Sequence, residues 1–128
     1  MANLLEHGSN WLEDQRHRHL TGRVTYRRGS ESVELSATIG KTVFEVDDGY
    51  GVLDKVEARD FLVFAGELIL AGEASLPERG DQVRETQGGR VYVYEVMAPG
   101  RAPHFRWSDP YRKTLRIHTK LVGTEVAP

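Results

Sequence analysis

The most regular pattern in the chain runs from Thr114 to Val122, where Leu115, Ile117, Thr119 and Leu121 alternate with Arg116, His118 and Lys120. A period of two puts each set on its own face of a strand. This stretch therefore predicts a half-buried strand, with Leu115, Ile117 and Leu121 in the core and Arg116, His118 and Lys120 in water. Val24 and Tyr26 alternate in the same way over Arg23 to Arg28, and Val33, Leu35, Ala37 and Ile39 do so further on. Gly29, Ser30 and Glu31 lie between these two runs and predict a β-hairpin. Gly40 and Lys41 predict a break, Thr42 to Val46 a short strand, and Asp47, Asp48 and Gly49 the turn after it. From Val52 to Val63 the character is again extended, but charge falls on both faces until Phe61, which predicts an edge or rim strand.

Phe64 to Ala71 fits a turn of helix around Ala65 to Leu68 followed by a buried strand. Leu76 to Asp81, LPERGD, predicts a loop leading into Gln82 to Glu85. Gln87, Gly88 and Gly89 then turn the chain into Val91 to Val96, a run rich in β-branched and aromatic residues, giving a second hairpin. Ala98 to Pro103, APGRAP, is a stiff loop, because proline cannot donate to a sheet ladder. Asp109 and Pro110 break the chain again, which leaves Phe105, Trp107 and Tyr111 on an irregular aromatic arm before the last strand. At the other end, Ala2 to about His19 lacks proline and repeats Leu4, Leu5, Trp11 and Leu12 at helical spacing. Asn3 with Glu6 can cap its start, and Arg16 to His19 place positive charge at its end.

Together these elements predict a mainly β fold, a small β-barrel or sandwich of about six to seven strands with an N-terminal amphipathic helix. The expected layout is a single domain over 1–128, with the helix over 1–20, the barrel over 23–122 and the Pro-rich aromatic arm over 98–112. At 128 residues, such a domain buries somewhat over roughly 60% of the surface its unfolded chain exposes.

Composition adds one feature. The formal net charge is only −2, which argues against a general nucleic-acid binder, yet its distribution is uneven. Residues 1–28 carry +2, residues 29–61 carry −5, residues 62–100 carry −3 and residues 101–128 carry +4. Both ends are basic and the middle is acidic. Cysteine is absent, which removes disulfides and thiolate metal sites, and fits a reducing compartment. No signal peptide and no apolar run of membrane-spanning length is expected.

Catalytic and cofactor motifs are not found. His17 and His19 face opposite sides of a helix, so they do not converge on one metal. His104 and His118 have no serine or acid partner fixed by spacing. Asp47, Asp48 and Gly49 lack the alternating ligands and terminal Glu of a calcium loop, and the glycines sit in hairpin turns instead of between a strand and a helix. No enzyme, cofactor or metal site is expected. Two readings of the basic and aromatic C-terminal region remain. Trp, Tyr and Arg are enriched at protein interface hot spots, which makes Phe105, Trp107, Tyr111 and Arg112, with Trp11 and Leu12 of the helix, candidates for a partner interface. The alternative is a small β-barrel module that binds single-stranded nucleic acid or another ligand by stacking and charge.

Taken in order, LLEHGSNWL, VTYRRGSESVELSATIG, EARDFLVFAGELIL, LPERGDQVRE, VYVYEVMA and RWSDPYRKTLRIHTKLVG cover most of the chain. This succession resembles the head-tail joining proteins of long-tailed bacteriophages and prophages, the connector, stopper or head-completion class. The resemblance implies a structural virion protein of the neck, present in the host cytoplasm during assembly. It implies a homo-oligomeric ring, expected to be a hexamer, with a portal or adaptor protein on the head side and a tail-terminator or tail-tube protein on the tail side. DNA would pass through the ring without sequence-specific contact. A tail-terminator or neck protein of the adjacent ring is the neighbouring alternative. A 128-residue domain is a sphere about 36 Å across, and six touching spheres leave a hole of about 36 Å, wide enough for a duplex. Asp47, Asp48 and Asp54 are candidates for an acidic channel lining that keeps phosphate from sticking.

Overall fold

A computed structural model describes residues 21–47, 49–51 and 53–128. The helix expected over 1–20, with Trp11 and Leu12, lies outside the described residues, as do Asp48 and Val52. Among the described residues the chain forms nine strands. These are β1 (Thr21–Arg28), β2 (Glu31–Asp47), β3 (Leu53–Phe64), β4 (Ile69–Leu70), β5 (Glu73–Ala74), β6 (Gln82–Gln87), β7 (Arg90–Val96), β8 (Phe105–Trp107) and β9 (Thr114–Val126). One 3-10 turn, Ala65–Glu67, follows β3 where a turn of helix is expected.

Glycine placement sets the two tight hairpins. Arg28 pairs with Glu31 around Gly29-Ser30, and Gly29 has φ +60, as a turn with a left-handed first position requires. Gln87 pairs with Arg90 around Gly88-Gly89, both with positive φ, so here two left-handed positions are needed and two glycines supply them. The main sheet has the order β3-β2-β1-β6-β7-β9-β8, and β9 also pairs with β3. That last pairing closes six antiparallel strands into a barrel, with β8 lying on β9 as a short seventh strand.

The interior follows the alternation. Val24 and Tyr26, Leu35 and Ala37, Phe61 and Val63, Val83, Tyr94 and Val96, and Leu115 and Ile117 point inward and are buried. Leu68 and Leu70 join this core from the segment after β3. Each fully buried Leu, Ile or Val contributes roughly 1.5–3 kcal/mol relative to exposure.

Four sequence expectations change. β2 does not break at Gly40-Lys41 but runs through them. Glycine serves close packing there, since a Cβ on Gly40 would lie 3.2 Å from Leu62 Cδ1 and 3.5 Å from an Arg116 guanidinium nitrogen. β3 is an edge only over its first half, because residues 59–63 are paired with β2 on one side and β9 on the other. His118, expected in water, is 1% exposed. Leu121, expected in the core, is 53% exposed. It stands beside a bulge: Tyr94 pairs with Leu121 and Val93 with Gly123, so Val122 is an extra residue that interrupts the ladder.

Two buried acids flank Val83 on the inward row of the β6 segment. Glu85 pairs with Arg59 at 2.8 Å, and the Arg59 guanidinium lies over the Tyr94 ring, 5.0 Å from its centroid. Asp81 accepts from the Tyr26 hydroxyl, from Arg28 Nε at 3.0 Å and from the Glu78 backbone N–H at 2.9 Å. Burial, and then the neighbouring Asp81 carboxylate, push the Tyr26 hydroxyl pKa upward, so it stays a proton donor. Arg28 also donates to the Leu76 carbonyl at 2.6 Å, which ties the LPERGD loop to β1.

Removing one partner of a buried charge network leaves the others desolvated and unpaired, so Asp81→Ala is expected to cost about 3 kcal/mol. Tyr26→Phe, which deletes one donor, should cost about 1 kcal/mol. Urea unfolding followed by fluorescence measures both, and equal midpoints for the two variants would contradict this ranking.

Candidate assembly surfaces

Past Thr38, β2 leaves β1, and before Arg59, β3 has not yet met β9. Residues 42–47 and 53–58 therefore pair only with each other among the described residues, from Thr42↔Ala58 to Asp47↔Leu53, and form a two-stranded arm. The arm's departure leaves residues 53–58 of β3 and 120–126 of β9 each with a strand on one side only among the described residues.

An isolated hairpin is marginal in water, so the arm needs support. One face supplies it. Phe44, Val46 and Val56 are half-buried, the Phe44 ring meets His118 edge-on at 5.1 Å, and Val46 packs so closely on the 98–103 loop that a Cβ on Gly100 would come within 3.2 Å of it. At the arm's base, Asp60 of β3 lies directly opposite His118 of β9. His118 Nδ1 is 2.7 Å from Asp60 Oδ1, while Oδ2 accepts from Arg116 at 2.5 Å and from the Thr42 hydroxyl. Thus β2, β3 and β9 are latched through one carboxylate. Burial raises the pKa of Asp60, but the hydrogen bonds from His118, Thr42 and Arg116 outweigh it and hold the carboxyl below its ordinary value.

The arm's other face is open to solvent. Val43 is 49% exposed and Leu53 63%, and Tyr50 at the tip is 91% exposed. Near the base, Lys41 pairs with Glu57 at 3.8 Å, and Glu45 lies across from Lys55. Of the tip acids, Asp47 lies opposite Leu53 on this open face and Asp54 opposite Val46 on the supported face, and neither has a basic residue directly across the ladder among the described residues. Asp47 accepts from the Gly49 N–H at 2.9 Å.

The aromatic residues before β9 separate into two groups. Phe105 and Trp107, on β8, lie opposite Ile117 and Leu115 and pack half-buried against the core, with their rings edge to face at 6.3 Å. Tyr111 is 78% exposed, and Arg112 beside it is exposed with φ +58. Asp109 organises this turn by accepting from the backbone N–H groups of Thr114 at 2.8 Å, Lys113 at 2.9 Å and Tyr111 at 3.2 Å. Those bonds, Thr114's first, lower its pKa. Phe64, more than half exposed, joins the same end, because it pairs with Thr114 and the next N–H, that of Ala65, donates to the Lys113 carbonyl at 2.7 Å.

Sequence reasoning missed Val43, Tyr50, Leu53 and Phe64. The available signal was apolar residues in a stretch otherwise charged on both faces, which a packed strand does not need. It also missed the acid partner of His118, 58 residues away. Among the described residues, no group of three or more His, Asp or Glu is placed to hold a metal ion. Two open polar hollows, of about 340 and 450 Å³, share Gly80 in their walls, and in the smaller one Arg84 is paired with Glu125.

Because the Asp60 pKa is lowered on folding, its contribution to stability is fully present above the ordinary carboxylate pKa of about 3.9 and is lost as pH falls through the lower folded value. Asp60→Asn should cost about 3 kcal/mol at pH 7 and flatten the loss of Tm below pH 4. Thermal unfolding of both proteins from pH 7 to pH 2.5 checks this, and parallel pH profiles would exclude Asp60 as the source.

A search of curated proteins returns no significant match. The family described as phage head-tail joining protein matches residues 2–126, nearly the whole chain, and includes the barrel, the arm and the Asp109 turn. The chain belongs to the phage head-tail joining protein family.

Proposed function

We propose that this chain is a ring-forming component of the neck, joining the portal or adaptor on the head side to the tail-terminator or tail tube and leaving a channel for DNA. The observation that carries this reading is the family match over residues 2–126. The barrel supports it as a rigid body that presents exposed apolar and charged groups away from its core, on the arm and on the Asp109 turn. A stacking platform for single-stranded nucleic acid is less well supported, because Phe105 and Trp107 pack against the core and leave Tyr111 as the exposed aromatic of that region.

Deleting the gene from its phage or prophage and imaging the particles tests the role. Filled heads and free tails that fail to join are expected, and addition of the purified chain should restore joined particles. Normal tailed particles in its absence would overturn the reading.

A further inference from the structure

β3 begins at Leu53, at the tip of the arm, and ends at Phe64, beside the Asp109 turn. At roughly 3.3 Å per residue the strand separates these places by about 36 Å, close to the diameter of the whole domain. They are opposite poles of one subunit, so they cannot meet within one chain.

The two poles are complementary in charge and alike in exposing apolar side chains. The arm tip carries Asp47 and Asp54, with Tyr50 and Leu53 exposed. The far pole carries Arg112 and Lys113, both exposed, with Tyr111 and Phe64. The acid of that far turn, Asp109, is committed to three backbone N–H groups. Arg112 sits at φ +58, a conformation that costs a residue with a Cβ about 1 kcal/mol relative to glycine.

We infer that the arm tip of one subunit docks on the Tyr111-Arg112-Lys113 turn of a second copy of the same chain, with Asp47 and Asp54 facing Arg112 and Lys113 and the exposed aromatics between them. This rests on the proposed ring. A contact between two different patches is head-to-tail, and its repetition makes a ring where the rotation between neighbours closes, as the proposed neck role requires. It also gives the tip acids a protein partner, in place of the channel lining expected from sequence.

Charge reversal at each pole tests the docking. Asp47→Lys with Asp54→Lys gives an arm variant, and Arg112→Glu with Lys113→Glu gives a turn variant; both change exposed side chains, and unaltered Tm values establish that they fold. Each alone should lower the yield of joined particles by about tenfold or more, since like charges then meet. A single chain carrying all four changes should recover joining, because every contact is again between opposite charges, and an equimolar mixture should recover it through rings in which the two variants alternate. The chain has no cysteine, so Leu53→Cys with Tyr111→Cys adds an independent readout: oxidised particles should give a ladder of covalent multimers on denaturing gels.

Full joining by both single-pole variants, or no multimers from the cysteine variant in particles that contain the chain, would overturn the docking and leave the neck role standing. Joined particles in which the arm variant changes only DNA retention would overturn it in favour of a channel lining. Absence of the chain from purified particles would overturn the neck role and the docking together.

Discussion

The pairing of β9 with β3 is the constraint on which the rest depends. Without it the sheet is an open ribbon with two bare edges; with it, six strands share one interior and Phe61, Val63, Leu115 and Ile117 are buried side by side. β9 can do this because it changes partners along its length: Thr114 to Thr119 runs beside β3 and β8, and Thr119 to Val126 beside β7. Thr119, where the change occurs, is fully buried and its hydroxyl donates to the Arg59 carbonyl at 2.6 Å. The Asp60 latch lies across the same seam, so the joint that closes the barrel also fixes the direction in which the arm leaves it.

Three buried carboxylates, Asp60, Asp81 and Glu85, each sit against an arginine. Desolvation offsets much of the Coulombic gain of such pairs, so their net contribution to stability is small even though breaking one is costly. What they supply is geometry. Each joins elements distant in sequence: Arg28 with Asp81 holds the LPERGD loop, Arg59 with Glu85 joins β3 to β6, and Arg116 with Asp60 joins β9 to β3. An apolar contact tolerates sliding, whereas a charge-assisted hydrogen bond does so less, and least of all the two-nitrogen fork of Arg28 on Asp81.

Much of the barrel was legible locally. The Gly29-Ser30 and Gly88-Gly89 hairpins, the inward rows of β1 and β2, and the turn after Phe64 all follow from periodicity and turn chemistry. The failures have a common cause in long-range pairing. His118 is buried because Asp60 and Phe44 come to it from other strands, and Leu121 is exposed beside a bulge that appears only when β7 is laid against β9. The aromatic arm was legible as composition but not as two populations, since only the pairing of β8 with β9 turns Phe105 and Trp107 toward the core and leaves Tyr111 out. Family membership was legible in the succession of segments, because a succession survives when individual contacts cannot be seen.

Where the arm parts from the barrel, the sheet splits, and strand backbone on both sides of the split lacks a neighbour among the described residues. Bare edges of this kind template unwanted sheets between molecules. Here Lys55 and Glu57 stand on one side of the split, and Lys120 and the Val122 irregularity on the other, all features that resist flat stacking of strands. The guarded split therefore hinders one copy of the chain from extending its sheet edge to edge into the next.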